Sequence, residues 1–237
     1  MCGRYRLTAK ERWLSAYFNI DPDDLEWAAR WNVAPTQDVA TIRQNRKEPK
    51  RVFKLMRWGL IPYWAKESPF GASTINAVSE TAAEKPAFRE PVRRRRCLIP
   101  ADGFYEWVRT GVSQKQPYHI GMADEGLFAF AGLWDRWNGP DGKVIESCTI
   151  LTTEANALLK PIHTRMPVIL RPEDYDRWLD PGISDPKRIA DLLKPFDPRL
   201  MRIYPVSAAV NRVENDGPEC AKEIKQVIIP TQATLFN

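Results

Sequence analysis

The chain of 237 residues contains no apolar run near the ~20 residues that a membrane-spanning helix needs. Its polar N-terminal segment also lacks the apolar stretch of a secretory signal peptide. Cysteines and histidines are few, with four and two residues respectively. No Cys-x-x-Cys pair occurs and neither histidine lies near a cysteine, which argues against a zinc site. We therefore expect a cytoplasmic protein, nucleoid-associated if bacterial, with free thiols, no metal and no cofactor.

The chain also lacks internal repeats and any linker long enough to separate two domains. Hydrophobic residues make up 43% of the sequence and aromatic residues 11%, so a sizeable core can form. We expect a single domain over residues 1–229, followed by a C-terminal tail over residues 230–237. The sequence leaves the oligomeric state open, and a monomer is the simplest expectation.

Strand-forming residues separated by turn signals dominate residues 97–153. Thr8 with Glu11 and Thr81 with Glu84 have the spacing of capping boxes, each of which predicts the start of a helix. Further strands are predicted near residues 39–43, 51–58, 166–170 and 201–204, and further helices over 172–179 and 185–193. This pattern predicts an α+β domain with a curved or barrel-like sheet flanked by helices.

Positive charge is modest in total but clustered. The formal net charge is +5, and Arg93 to Arg96 are four consecutive arginines. A second basic stretch runs from Arg43 to Arg57. Clustered positive charge is typical of a polyanion-binding protein, whereas a solvated face balanced by carboxylates elsewhere is the alternative.

The second residue carries the most chemical information. Because methionine is usually removed before a small side chain, Cys2 is expected to become the N-terminus. An N-terminal cysteine carries an α-amine with a pKa near ~7.8 and a thiol with a pKa near ~8.5 on adjacent carbons. The amine can form an imine with an aldehyde, and the thiol can then close a thiazolidine ring. A frayed terminus without function is the alternative.

Three internal polar residues are candidates for catalysis. Glu106 lies between aromatic neighbours in a predicted strand, where a carboxyl group can act as a general acid or base, unless strand alternation points it to solvent. His163 lies in a predicted loop after a short helix near residues 154–159, and histidine is a natural proton shuttle. Asn76 could orient an amine or an oxyanion, although asparagine is also common in turns. His119 is expected to be structural.

Other residues are candidates for contacts with nucleic acid. The guanidinium groups of Arg4 and Arg165 could each hold a phosphate through two hydrogen bonds. Tyr63, Trp64 and Trp107 offer rings on which bases could stack. Packing in the core is the alternative for each aromatic residue.

The motifs together resemble the SRAP family, the SOS-response-associated peptidases that are also described as abasic-site processing proteins. In chain order, the motifs are Met1-Cys2-Gly3-Arg4, Asn32-Val33-Ala34-Pro35, Trp58-Gly59-Leu60-Ile61-Pro62, Asn76-Ala77 with Glu80-Thr81, the run from Arg96 to Trp107, Ala131-Gly132-Leu133-Trp134, and His163-Thr164-Arg165-Met166-Pro167. They extend over nearly the whole chain, and their combination is far more specific than any one of them.

The resemblance implies a single barrel-containing, mainly antiparallel α+β domain that binds single-stranded DNA at abasic sites. It implies that the open-chain sugar aldehyde condenses with Cys2 and ends as a stable thiazolidine crosslink. Asn76 would position or stabilise the intermediate and Glu106 would transfer protons. His163 would act as general acid and base in ring opening and in crosslink reversal. The expected DNA contacts, from the resemblance and from residue type, are Arg4, Asn32, Pro35, Tyr63, Trp64, Trp107 and Arg165.

One position departs from the family pattern. The family commonly has Asn-Ala-Arg where this chain has Asn76-Ala77-Val78. A phosphate-binding arginine is therefore missing at Val78, and we expect either weaker DNA binding or compensation by Arg93 to Arg96.

Three other functions remain open from sequence. A glutamine amidotransferase with an N-terminal nucleophile also begins Met-Cys-Gly, but such enzymes usually carry a His-Gly motif that is absent here. A thiol peptidase could combine Cys2, His163 and Glu106, and its activity could be limited to removal of Met1. A DNA-binding module without chemistry would not require Cys2.

Overall fold

The computed structural model describes residues 2–24, 26–45, 50–66, 73–111 and 115–225. Its strands are β1 (Tyr5–Leu7), β2 (Arg30–Val33), β3 (Asp38–Gln44), β4 (Arg51–Trp58), β5 (Asn76–Val78), β6 (Arg96–Ala101), β7 (Gly103–Arg109), β8 (Lys115–Met122), β9 (Phe128–Asn138), β10 (Val144–Glu154), β11 (Arg165–Pro167), β12 (Ile169–Leu170) and β13 (Met201–Pro205). Its α-helices are α1 (Glu11–Phe18), α2 (Ser79–Ala82), α3 (Arg89–Arg94) and α4 (Tyr175–Leu179). Its 3₁₀ helices are Pro22–Asp24, Pro172–Asp174, Pro186–Leu192, Pro198–Leu200, Ala208–Asn211 and Pro218–Ala221.

The larger sheet closes on itself as a barrel. Around the barrel, β3 pairs with β4, β4 with β10, β10 with β9, β9 with β6, and β6 with β3. Only the β4–β10 contact within this ring is parallel. Beyond the ring, β5 and β11 flank the C-terminal half of β10, and β12 pairs with β9. Closure removes the free edges of the sheet, so the barrel forms a rigid frame for the residues around β10.

The smaller sheet has the strand order β13-β8-β7-β1-β2 and is antiparallel throughout. It shares one hydrophobic core with the barrel. The ring of Tyr5 meets those of Trp58 and Phe130 edge to face, with centroids 5.4 and 5.8 Å apart. The predicted single α+β domain with a barrel-containing, mainly antiparallel sheet is therefore confirmed.

Both capping-box predictions are wrong, although α1 lies where it was predicted. The hydroxyl and backbone N–H of Thr8 donate to Asp102 at 2.6 and 2.7 Å, because the turn between β6 and β7 brings a carboxylate to them. The N-cap position of α1 is Lys10. Thr81 lies inside α2 and caps nothing. Tertiary contacts have displaced the local signals.

The predicted strands are confirmed, except that the one predicted near residues 166–170 is two short strands, β11 and β12, separated by Val168. The helix predicted over residues 172–179 is a 3₁₀ turn followed by α4, and residues 186–192 form a 3₁₀ helix. The short helix predicted near residues 154–159 is wrong, because β10 continues to residue 154 and hydrogen-bonded turns follow it. The predicted tail over residues 230–237 lies outside the described part of the chain.

Candidate active site

Cys2 is held inside the protein. Its side chain and backbone are 0% exposed. The side-chain amide of Asn76 donates to the carbonyl oxygen of Cys2 at 2.8 Å, and the Cys2 thiol points to the carbonyl of Arg4 at 3.8 Å. A frayed terminus would make neither contact, so the sequence alternative of a mobile chain start is wrong.

The pairing of β1 with β7 brings Glu106 to Cys2. Tyr5 lies opposite Phe104, and the N–H of Tyr105 donates to the carbonyl of Arg4 at 3.0 Å. Continuing this antiparallel register by three residues places Cys2 opposite Trp107, next to Glu106, whose charge acts on the Cys2 thiol.

Burial raises the pKa of the Cys2 thiol well above its ordinary value, and the negative charge of Glu106 raises it further. The thiol is therefore protonated at neutral pH. In this environment the sulfur is a poor first nucleophile, because the thiolate is the reactive form.

Glu106 lies in the interior, at 5% exposure. Strand alternation allowed it to face solvent, but Gly103 to Glu106 are all buried because both faces of this part of β7 are covered. The structure thus brings a carboxyl group close to the Cys2 thiol in a buried site, which suits proton transfer.

Asn76 reaches Cys2 from the barrel. It begins β5, which runs parallel to β10 with Asn76 opposite Ile150. The amide nitrogen binds Cys2, while its oxygen Oδ1 is buried and accepts no hydrogen bond within the described ranges. Asn76 therefore offers a fixed acceptor next to the backbone of Cys2.

His163 precedes β11 and is half-buried. The backbone N–H of Arg165 donates to its Nδ1 at 2.9 Å, so in the neutral ring the proton lies on Nε2. Val78, Thr152 and Pro167 form one row across β5, β10 and β11. At ~4.8 Å per strand, β5 and β11 lie roughly 10 Å apart across β10 at this row, which Asn76 precedes by two residues on β5 and His163 by four residues on the β11 side.

The predicted phosphate ligand Arg165 is already paired. Its guanidinium donates two hydrogen bonds to Glu80, at 2.9 and 2.7 Å, and a third to the carbonyl of Thr152 at 2.5 Å. Hydrogen bonding from Arg165 lowers the pKa of Glu80. Contact with a phosphate would therefore require an exchange of Glu80 for the phosphate.

Arg4 is held by residues from distant parts of the chain. Its Nη1 donates to Asn32 Oδ1 and to the carbonyl of Val210, both at 2.8 Å, and its guanidinium lies 5.9 Å from the ring centre of Trp107. The indole of Trp107 in turn donates to Asn211 Oδ1 at 2.7 Å. Arg4 and Trp107 thus share one polar cluster beside Cys2.

Asn32 has a different location from the one expected. It is 0% exposed, and its amide nitrogen donates to backbone carbonyls of residues 210, 212 and 215. In this position Asn32 orients Arg4 and contacts no solvent. Sequence reasoning missed the segment that does this, residues 206–216, including Asp216, which accepts from the side chain of Arg30. No local pattern distinguishes that segment from an ordinary loop.

The predicted stacking residues Tyr63 and Trp64 are exposed, by 54% and 46%. Their loop is fixed to the barrel, because the N–H of Tyr63 donates to Asp135 Oδ2 at 3.0 Å. Asp135 lies opposite Ser147, three positions before Ile150 on β10, so this loop is roughly 10 Å along the strand from the level of Asn76. Pro35 is half-buried in the turn between β2 and β3.

The arginine run does not occupy the place of the missing family arginine. Arg96 is buried, and its guanidinium donates to four backbone carbonyls, those of residues 92, 93, 178 and 180. Val78 lies on β5 and Arg96 begins β6, and the strands β10 and β9 lie between β5 and β6 in the sheet. Arg96 therefore does not compensate for Val78, whereas compensation by Arg93 to Arg95 stays a prediction.

Two features are absent from the described residues. No helix in that part of the chain has both the length and the apolar character that a bilayer requires. No cluster of three histidine, cysteine or carboxylate residues that could hold a metal occurs there.

Comparison with known proteins connects this geometry to one family. The family profile for SRAP, the SOS response associated peptidase family, matches residues 1–213. The abasic site processing protein YoqW of Bacillus subtilis is 46% identical over 221 residues, which cover 92% of this chain and 98% of YoqW. The mouse abasic site processing protein HMCES is 36% identical, and the match covers 84% of this chain and 66% of HMCES.

A crystal structure of a protein from Bacteroides thetaiotaomicron has the same fold, with a TM-score of 0.83 and 29% sequence identity over 94% of this chain and all of that one. The profile match, the similarity to abasic site processing proteins and the shared fold agree, and the chain belongs to the SRAP family.

Proposed function

We propose that this protein captures abasic sites in single-stranded DNA by a covalent bond to Cys2, after removal of Met1. The observation that carries the proposal is the burial of Cys2 near Asn76 and Glu106, with the side-chain amide of Asn76 donating to the carbonyl oxygen of Cys2 at 2.8 Å. The names of relatives such as YoqW and mouse HMCES support abasic-site processing as the role. Its place of action would be the cytoplasm, at the DNA.

The proposed reaction begins at the amine. The nitrogen of Cys2 attacks the aldehyde carbon of the ring-opened sugar, and the resulting carbinolamine loses one water to give an imine. The sulfur of Cys2 then adds to the imine carbon, and the thiol proton moves to the nitrogen. The product is a five-membered thiazolidine. The raised pKa of the thiol supports this order, because a protonated thiol leaves the first attack to the amine.

Each catalytic candidate has a role that its surroundings support. Glu106 would accept and return the protons that leave and rejoin the amine, since it lies in the same buried space. Asn76 would fix the backbone of Cys2 and offer Oδ1 to the amine. His163 would donate a proton from Nε2 to the sugar oxygen during ring opening.

The DNA would lie across the residues around this pocket. Trp107, Tyr63 and Trp64 would stack on bases, because such contacts do not depend on sequence. Arg4 and Arg165 would face phosphates, with Arg165 exchanging Glu80 for the phosphate. Asn32 would act through Arg4, and Pro35 would shape the adjoining turn.

The test is a denaturing gel of the purified protein with a single-stranded oligonucleotide that carries one abasic site. A heat-stable shifted band is expected with the natural protein and with Cys220→Ala, and no band with Cys2→Ala or undamaged DNA. Cys2→Ser should give only an imine, which survives denaturation only after reduction with borohydride. Absence of a band, once mass spectrometry has shown that Met1 is removed, would refute the proposal.

The peptidase remains a second candidate, because the family description includes that term. A thiol peptidase requires a thiolate, and the surroundings of Cys2 disfavour it. Cleavage of casein or of a peptide library by the natural protein, but not by Cys2→Ala, would support the peptidase.

A further inference from the structure

A cleft opens in the barrel wall between β4 and β10. These parallel strands pair only at Arg57 with Ser147 and at Trp58 with Cys148. N-terminal to these pairs the two strands are no longer paired with each other: β4 continues alongside β3, and β10 continues alongside β9. The gap has a volume of about 640 Å³. It lies outside the candidate active site.

The cleft is strongly basic. Five basic side chains line it against two acidic ones, Asp38 and Glu146, and the basic set is Arg43, Lys54, Arg57, Arg136 and Lys143. Glu146 is paired with Arg43 at 3.0 Å. Lys54, Arg136 and Lys143 are exposed and form no ion pair with any described residue. The cleft thus presents three uncompensated cations to one ligand.

The cleft and the exposed aromatic loop meet the same row of strand residues. Asp135, Ser147 and Arg57 form one row across β9, β10 and β4. The loop that carries Tyr63 and Trp64 is bonded to this row through Asp135. Arg57 of this row lines the cleft, so phosphate contacts in the cleft and base contacts at the loop would follow one another along one strand.

We propose that the cleft between β4 and β10 binds the phosphate backbone of the DNA that flanks the abasic site. The inference rests on the proposed function for the identity of the polyanion. DNA fits better than an acidic polypeptide, because exposed rings beside spaced cations match a chain of alternating bases and phosphates. The cleft begins roughly 10 Å along β10 from the level of Asn76, so a strand bound there would leave the abasic site within a short length of DNA.

The test compares Lys54→Glu/Lys143→Glu with a control of equal charge change, Lys187→Glu/Lys194→Glu, whose side chains are also exposed but lie outside the cleft. Noncovalent binding is measured against salt, with a short oligonucleotide that covers only the lesion and a long one with flanking DNA. Loss of two phosphate contacts should reduce the slope of log affinity against log salt by about 1.4 for the long single strand. The control should keep its slope.

Crosslinking separates this inference from the proposed function. The cleft variant should crosslink the short oligonucleotide at the natural rate while losing affinity for the long one. An unchanged salt slope, an equal loss in the control or an equal loss for both oligonucleotides would each overturn the cleft as a DNA contact. Displacement of DNA from the cleft by polyglutamate at lower concentration than by oligonucleotide would also overturn it, in favour of an acidic protein partner.

Discussion

Replacing Asn76 by alanine should slow crosslinking much more than the loss of fold stability explains. The substitution removes the 2.8 Å bond to the carbonyl of Cys2 and leaves that buried oxygen without its donor. An unsatisfied buried polar group costs about 1–3 kcal/mol. If this cost falls on the reactive position of Cys2, the crosslinking rate should fall by about 5-fold to 150-fold.

A second asparagine provides the matched control. The side-chain nitrogen of Asn156 donates to the carbonyl of Phe196, also at 2.8 Å, and its oxygen accepts from the N–H of Leu159 at 3.1 Å. Within the described part of the chain, no hydrogen bond joins Asn156 to Cys2. Asn156→Ala should therefore lose at least as much free energy of unfolding as Asn76→Ala, yet the folded protein should crosslink at the natural rate.

The assay measures the crosslinking rate at saturating oligonucleotide and the free energy of unfolding in urea for both variants. The expected result is a slow rate only for Asn76→Ala, although Asn156→Ala is destabilised at least as much. If Asn76→Ala reacted as fast as Asn156→Ala, Asn76 would have a structural role alone. Asn76→Asp should also be slow, because a carboxylate would face both the carbonyl of Cys2 and the charge of Glu106.

Three further predictions concern pH and charge. Burial, with Arg6 and Arg202 nearby, lowers the pKa of His119 from 6.5 to about 2. As the pH falls, the unfolded chain therefore binds a proton at His119 before the folded protein does, and the free energy of unfolding decreases below pH 6.5. Urea unfolding should therefore show about 2 kcal/mol less stability at pH 5 than at pH 7, and His119→Gln should lack this loss. Glu80→Gln should release Arg165 and tighten DNA binding with a salt slope steeper by about 0.7, while stability in urea changes by less than ~1 kcal/mol. Val78→Arg should likewise tighten DNA binding, and an unchanged affinity and salt slope would show that position 78 contacts no phosphate.

The sequence predicted the strands well because their signals are local. Alternation and turn residues define β9 and β10, and of the predicted turn residues Asn138 ends β9 while Gly139 and Asp141-Gly142 lie between the two strands. The motifs also named residues that the fold brings together, including Cys2, Asn76 and Glu106.

What the sequence could not predict depends on contacts between distant residues. The burial of Glu106 needs a cover on both faces of β7, which alternation cannot reveal. The interior position of Asn32 needs residues 206–216, which lie almost two hundred positions away. The basic stretch around Arg57 was visible, but the separation of β4 from β10 that turns it into a cleft was not.

The burial of Cys2 has a consequence for the time at which Met1 can be removed. Two contacts enclose the chain start: one joins Asn76 to Cys2, 74 positions apart in sequence, and the other joins Arg4 to Val210, 206 positions apart. Such long loops close late, after local hairpins have formed, and during synthesis they cannot close until residue 210 has left the ribosome. The chain start is therefore accessible to an aminopeptidase on the nascent chain and enclosed afterwards. We expect methionine aminopeptidase to remove Met1 much faster from protein unfolded in urea, at a concentration at which the aminopeptidase stays active, than from native protein. Equal rates would show that the folded chain start stays accessible.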